Sequence, residues 1–362
     1  MNRISPESMP LSIKSGNWTN GHIQGIAVDK VNGFIYYSFT TVLVKAKLDG
    51  TVIGSVEGLS GHLGCLDFND EDGKVYGSIE YKHDAIGKGI LKSNPDAKLS
   101  DEDAFYIAIF DVDKIDRMKM HAEKDGVMTT VYLPDVVEDY SFNNGFDHKY
   151  ACSGIDGISF GPGFGKGKDS KQMLYVAYGI YGDVEREDND YQCILEFDYR
   201  SFPKYEKPLA QLEPHKSGLR CENRFFLYTG NTNWGIQNIE YDESTGDYFV
   251  AVYRGKKEGF KNFPMFVIDG SVAPEKKALK GCYGEEGLVL TLKQRGIYDE
   301  ATNTYGLTFE KGQTGIASLG DGYFYVSHDS RIVIDDVKYH TAVIKKYKLT
   351  DDFGEDPFVL CE

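Results

Sequence analysis

The sequence predicts an all-β fold, a five-bladed β-propeller made of four-stranded antiparallel blades, and three observations predict it. A short glycine-marked apolar phrase returns five times: GHIQGIAVD (21–29), GHLGCLDFN (61–69), SGIDGISFG (153–161), GIQNIEYD (235–242) and GQTGIASLG (312–320). Each copy is followed by strand patterns of period two bounded by Gly and Asp turns, with no long amphipathic helix between copies. The composition agrees, since 25 Tyr and 21 Phe among 362 residues favour sheet and 40 Gly favour tight turns.

The elements follow in order. After each first strand comes a second, rich in aromatic and small residues: FIYYSF (34–39), KVYGSIEY (74–81), QMLYVAYGI (172–180), DYFVAVYRG (247–255) and GYFYVSHD (322–329). Third strands read as LVKAKLDG (43–50), FYIAIFDVD (105–113), CILEFDY (193–199), MFVIDG (265–270) and AVIKKYKLTDD (342–352). Fourth strands read as TVIGSV (51–56), MTTVYLPDV (128–136), LVLTLK (288–293) and FVLC (358–361), with KPLAQL (207–212) filling that place in blade 3. The whole chain, 1–362, is then one domain with blades at about 20–58, 62–136, 153–212, 234–293 and 312–361. A single blade cannot bury both of its faces, so blade-on-blade packing around an axis supplies the core. SIKSGNW (12–18) within the leading segment 1–19 is expected to pair with the last blade, because an open ring leaves a bare sheet edge. A sandwich, the structural runner-up, would pair strands without a fivefold phrase.

Bulk properties exclude several classes. A net charge of −16 disfavours a nucleic-acid partner, which needs a basic face, and equally an anionic membrane surface. No window approaches the roughly 20 apolar residues of a membrane span. MNRISPESMPLSIKSGNW (1–18) lacks an apolar leader core, so a cytoplasmic location is expected. The six cysteines (Cys65, Cys152, Cys193, Cys221, Cys282 and Cys361) form no CxxC or Cys/His cluster and read as reduced, mostly buried thiols. GPGFGKGKDS (161–170) does not match a phosphate loop and reads as the turn between two strands of blade 3. EREDND (185–190) reads as a solvated loop.

The phrase G-H-x-Q-G-I-A-V-D, followed by a tyrosine-rich strand and L-D-G, resembles the first blade of propellers of the NHL, YWTD and lactonase-like group. The chain as a whole is similar to bacterial propeller proteins that carry no assigned activity. The resemblance implies architecture. Lactonase-like members hold a central divalent metal through acidic and Asn ligands, whereas the strand starts here carry no clear Glu/Asn/Asp set. The residues themselves ask for no cofactor, and a central divalent metal such as calcium is what the resemblance would add.

In a propeller, first-strand starts and second-strand ends meet on one face around the axis. Strand starts contribute His22, Gln24, His62, Asp156, Trp234, Gln237 and Gln313, and second-strand ends contribute Glu80, Lys82, His83, Tyr178, Arg254 and His328. The long connections 80–104, 137–154, 178–191, 219–235, 254–263 and 328–340 are expected to lie on the same face. Such a funnel suits a small-molecule or oligosaccharide ligand. Glu80 or Asp156 would supply acid or base, as carboxylates do in glycoside hydrolysis. His22, His62 and His328 would move a proton near neutral pH. Arg254 or Lys82 would hold an anionic group, His83 would contact the substrate, Gln24, Gln237 and Gln313 would hydrogen-bond it, and Tyr178 and Trp234 would stack on it. The expected function is a carbohydrate-active enzyme of glycoside hydrolase or uronate lyase type. The alternative is a non-catalytic propeller that binds a small ligand or peptide in the same funnel, where packing and inter-blade hydrogen bonds account for several of these side chains.

Overall fold

The computed structural model describes residues 3–362 apart from 95–96, 144, 146, 283, 351–353 and 355. Five sheets stand around one axis. Blade 1 runs Ile23–Asp29, Phe34–Phe39, Val42–Lys47 and Val52–Glu57, and blade 2 runs His62–Asn69, Lys74–Tyr81, Ala104–Phe110 and Met128–Tyr132. Blade 3 comprises Cys152–Pro162, Gln172–Ile180, Tyr191–Phe197 and Asn223–Tyr228. Blade 4 comprises Asn233–Asp242, Asp247–Tyr253 and Met265–Ile268; blade 5 comprises Ile316–Gly320, Tyr323–Ile334 and Val337–Leu349. Each first strand packs against the next, and the fifth packs against the first, which closes the circle.

Aromatic and β-branched residues on alternating faces make these strands, and their second faces would stay wet without a neighbour. Accordingly, one apolar core lies between each adjacent pair of blades, five in all. Tyr76, Phe105 and Tyr178 belong to the core between blades 2 and 3, and Tyr175, Tyr248 and Phe266 to the one between blades 3 and 4. Burying each such ring contributes roughly 2–3 kcal/mol before entropy is counted.

Polar latches repeat with the fold. At the far end of the first strands, Asp67 accepts the Phe160 N–H at 2.7 Å, Ser159 accepts the Tyr241 N–H at 3.3 Å and Glu240 accepts the Ser318 N–H at 2.6 Å. One repeat position therefore reaches into the next blade three times in succession. Ser38 and Ser78 do the same from second strands, donating to the carbonyls of Gly64 and Asp156 at 2.6 Å each.

Several expectations shift. The ring is closed as predicted, with Ser12–Trp18 antiparallel to Val337–Leu349 and Phe358–Leu360 pairing further along the same strand. KPLAQL is not the outer strand of blade 3, however: Lys207–Pro208 pairs with Met128–Tyr132 on blade 2. That outer place belongs to Asn223–Tyr228, inside a segment whose polar flanks read as a loop. Likewise 288–293 does not complete blade 4. Glu286–Val289 runs parallel to Asn223–Tyr228 on blade 3, and a single bridge links Ile268 to Leu292. The connection 328–340 is no loop but the outer half of a long hairpin, Tyr323–Ile334 with Val337–Leu349. The predicted acidic end of that third strand, 351–352, lies outside the described residues. Residues 163–171 form the expected turn between two strands of blade 3. Among the described residues, no helix is long and apolar enough to cross a membrane, and all six cysteines are free thiols.

Candidate functional site

Register places the first members of the site. His62 opens a first strand and sits directly opposite Glu80, near the end of the second strand. The first strands of blades 1 to 4 are each interrupted by a register shift at the same repeat position, around Gln24, Gly64, Asp156 and Gln237. A bulge bends the strand and re-aims one side chain. Here it turns Asp156 and Gln237 toward the His62 end of the axis.

Five side chains from blades 2, 3 and 4 then meet. The His62 Nδ1 atom lies 3.6 Å from Glu80 Oε1 and 3.7 Å from Asp156 Oδ1. Glu80 Oε2 accepts the Ile155 N–H at 3.0 Å, crossing from blade 2 to blade 3. Gly154 makes room for it: φ is +128° there, and a Cβ would stand 1.9 Å from Glu80 Oε2. Lys82 Nζ lies 2.5 Å from Glu80 Oε1, donates to the Ser153 carbonyl at 2.6 Å and approaches Asp84 Oδ2 to 3.5 Å. Asp84 caps the helix Ala85–Ser93 through the N–H groups of Ile86 and Gly87 and accepts the Tyr181 hydroxyl at 3.1 Å. From blade 4, Gln237 Nε2 donates to Asp156 Oδ2 at 3.1 Å and to the Trp234 carbonyl at 2.9 Å. Trp234 meets Tyr181 edge to face at 6.0 Å.

Burial sets the protonation states. It lowers the His62 pKa to about 3, assisted by the Lys82 ammonium, so the imidazole is neutral at physiological pH. The Asp156 carboxyl is raised well above its ordinary value, first by burial and then by Glu80 beside it. Burial also raises Glu80, with Lys82 pulling the other way. Burial opposes the charge on Lys82, but Glu80 and Asp84 overcome it and hold the pKa above its ordinary value. His62 Nδ1 is buried and makes no hydrogen bond. Burial thus favours the proton on Asp156 beside a neutral imidazole, and Asp156 is the more exposed of the two carboxyl groups.

Around this group lie His22, Tyr253 and Asp329. His22 is lowered by burial while Asp329 raises it, and its ring is 6.5 Å from that of His340. Tyr253 is raised to about 12 by burial, with Asp329 and Asp156 adding to the effect.

Other predicted site residues are placed elsewhere. His328 points to the opposite side of its strand, where its Nε2 meets the Tyr347 hydroxyl at 2.9 Å with the two rings stacked. Successive strand residues face opposite ways, so it is the next residue, Asp329, that influences His22 and Tyr253. Tyr178 is fully buried between blades 2 and 3, and its hydroxyl donates to Asp139 at 2.8 Å. His83 is exposed and pairs with Asp103 at 2.8 Å. Arg254 is exposed and forms an ion pair with Glu310, which occupies the fork expected to clamp an anion. Gln24 Nε2 donates to Thr40 at 3.2 Å and Gln313 Nε2 donates to the Val252 carbonyl at 3.1 Å, so both serve the scaffold. EREDND is held by its own ion pair, Arg186 with Asp188 at 2.8 Å.

The central divalent metal implied by the resemblance does not fit. Asn238 occupies the interior of the ring: its Nδ2 donates to the carbonyls of Gln24 and Gln313 at 2.9 and 3.0 Å, and its Oδ1 accepts the Cys65 thiol at 3.2 Å. Among the described residues, no three His, Cys, Asp or Glu side chains are arranged to hold a metal ion.

The ends of the first strands carry further polar residues, which the expectation drawn from first-strand starts and second-strand ends left out. At the other end of the axis a cavity of about 690 Å³ is lined by residues of all five blades, with Asp67 and Glu240 among them. The repeat frame carried the signal, because Ala27, Asp67, Ser159, Glu240 and Ala317 hold one register position and two of the five are acidic.

No protein-family model and no curated protein matches the chain. Solved structures do match. The Dos1 propeller is 12% identical with a TM-score of 0.37 over 86% of this chain and 56% of that one, so the chain spans little more than half its length. A soluble aldose sugar dehydrogenase from Escherichia coli in its apo form is 10% identical with a TM-score of 0.38, over 92% and 98% of the two chains. A GH43 β-1,3-galactosidase with galactodeoxynojirimycin is 11% identical with a TM-score of 0.38, over 92% of each. Likeness at this level carries no argument about activity. The sheets, their order and the closed circle of first strands make the chain a five-bladed β-propeller.

Proposed function

We propose that the His62 end of the axis is an acid–base site for a small polar ligand of the carbohydrate class, and that the chain is a hydrolase or lyase. The observation that supports this reading is the buried His62 Nδ1, without a hydrogen bond and within 3.7 Å of both Glu80 and Asp156. Neighbouring titratable groups whose environments push their pKa values apart suit opposite roles in proton transfer. Asp156, protonated, donates to a departing oxygen, and neutral His62 takes a proton from water or from carbon. Glu80 and Lys82 hold the imidazole side of the site, and Gln237 orients the Asp156 carboxyl. Trp234, Tyr181 and Tyr253 offer aromatic surface of the kind that sugar rings pack on.

The second reading is a binding propeller without turnover. It draws on Glu80, Lys82 and Asp84, which satisfy one another so fully that they would hold the blades together with no chemistry at all.

Asp156→Asn and His62→Ala separate the two. Wild type and variants are assayed for new reducing ends or unsaturated uronates on a panel of oligosaccharides, with ligand binding measured by calorimetry and folding by circular dichroism. Catalysis predicts a loss of turnover of roughly 10²–10⁴-fold with binding changed only a few-fold. Wild type that binds a glycan without turning it over, and loses that binding in both variants, establishes the binder instead.

A further inference from the structure

The cavity at the opposite end of the axis has its own chemistry. It lies between the ends of the first strands, where Asp67, Phe160, Glu240 and Ser318 meet. Acidic side chains on its wall outnumber basic ones seven to three. Two of the three cations are already engaged: Arg3 bridges Asp70 and Glu243 at 2.6 and 2.8 Å, and Lys30 donates to the Ser318 carbonyl at 3.3 Å.

The inter-blade latch explains part of this acidity and leaves a remainder. Asp67 accepts one N–H on each oxygen, from Phe68 and from Phe160 at 2.7 Å each. Glu240 is only 9% exposed, and its Oε1 accepts the Ser318 N–H at 2.6 Å. Its Oε2 has no hydrogen-bond partner among the described residues and is left to the cavity that Glu240 lines. A latch needs one oxygen, as Ser159 demonstrates at the same position in blade 3. The second oxygen is an acceptor without a structural task. Beside it stand Phe68, Phe160 and Tyr241, each partly exposed at the cavity wall.

We propose that this cavity binds a small organic amine, whose ammonium group donates to Glu240 Oε2 while its carbon chain lies against Phe68, Phe160 and Tyr241. The acidic wall excludes anions. A hard divalent cation needs six or more oxygens, and among the described residues no three His, Cys, Asp or Glu side chains are grouped to hold a metal ion. An ammonium group needs few acceptors and is attracted to aromatic faces. The surroundings of Glu240 favour its protonated form, because burial and then Asp67 raise its pKa, with the Ser318 N–H and Lys30 opposing and Asp242 adding. Burial raises Asp67 as well, with the Phe160 and Phe68 N–H groups and Lys30 opposing and Asp70 adding. Binding a cation accordingly releases a proton.

Titration calorimetry of the full chain in about 150 mM salt, with spermidine, calcium chloride and glucose as probes, tests this. Spermidine is expected to bind one to one, with an apparent enthalpy that varies with the buffer's ionisation enthalpy in the direction of proton release. Glu240→Gln keeps Oε1 as the latch acceptor and should weaken spermidine at least tenfold. Should that variant fail to fold, Asp169→Lys at the exposed rim should weaken it several-fold. Absence of saturable spermidine binding, stronger binding of calcium or glucose, or unchanged affinity in the variant that folds each overturns the proposal.

Discussion

At the scale of single residues, buried carboxyls decide how this protein responds to pH. Burial raises Asp67 to about 7, although the Phe160 and Phe68 N–H groups pull it down. An acid whose pKa is higher folded than unfolded binds more protons in the native state across the interval between the two values. Its stabilisation is complete below about 4 and is lost as pH rises through 7. The advantage of wild type over Asp67→Asn should therefore shrink between pH 5 and 8, by roughly 1.4 kcal/mol per pH unit at its steepest. Urea denaturation at stepped pH measures it, and a gap that stays flat would mean Asp67 is ionised throughout. The same scale limits what a sequence can disclose about a site. His62 was legible because it shares a repeat position with His22, Asp156 and Gln237 because they share another with Gln24, and Glu80 and Lys82 because they stand at the end of a second strand. His328 and Tyr178 failed on parity: a strand reverses direction at every residue, and a polar side chain does not announce its side. Arg254 and His83 are one or two residues past the last paired position, where each finds an acidic partner in a loop. Such partners are distant in sequence and carry no pattern.

At the scale of elements, short-range pattern was reliable wherever strands are consecutive. First, second and third strands of all five blades lie within a few residues of their predicted places, because each is held by the hairpin next to it. Fourth strands depend on what remains after the third: they held in blades 1, 2 and 5, and in blades 3 and 4 tertiary pairing overrode the pattern. Asn223–Tyr228 joins blade 3 after an excursion that includes Lys207–Pro208 on blade 2. The helix Ala85–Ser93 escaped the reading because its nine residues, AIGKGILKS, include two glycines, which weaken the helical signal. What starts that helix is Asp84, accepting two N–H groups at 2.9 and 3.0 Å. Asp84→Ala removes the cap and should cost about 1–2 kcal/mol, while Asp84→Asn, an equally good cap, should restore most of it. Thermal or urea unfolding of the pair checks this. Equal losses in both variants would assign the role of Asp84 to its charge beside Lys82 instead.

At the scale of the whole molecule, stability depends on closing the ring, and the closure is made by the N-terminal segment. Ser12–Trp18 supplies an outer strand of blade 5, with Ile13 opposite Ile344 and Trp18 opposite His340. Met9, Ile13 and Trp18 are also members of the core between blades 5 and 1, together with Tyr37, Val44 and Tyr325. Lys346 fastens the segment from inside. It is 3% exposed, and its ammonium donates to the carbonyls of Pro6, Glu7 and Met9 at 3.1, 3.1 and 2.7 Å. Removing residues 1–18 would thus expose a sheet edge, strip one of five cores of three apolar side chains and leave a buried ammonium without its acceptors. Each apolar side chain is worth roughly 1.5–3 kcal/mol, and an uncompensated buried charge several more. Such a truncation should lower the midpoint of thermal unfolding by about 10 °C or more in a chain of this size. It should also promote self-association through the bared edge. A synthetic peptide of residues 1–18 added in trans should raise the midpoint again, because it restores the same pairing. A truncated chain that melts where the full one does, and stays monomeric by sedimentation, would show that the four other inter-blade cores hold the ring without its clasp.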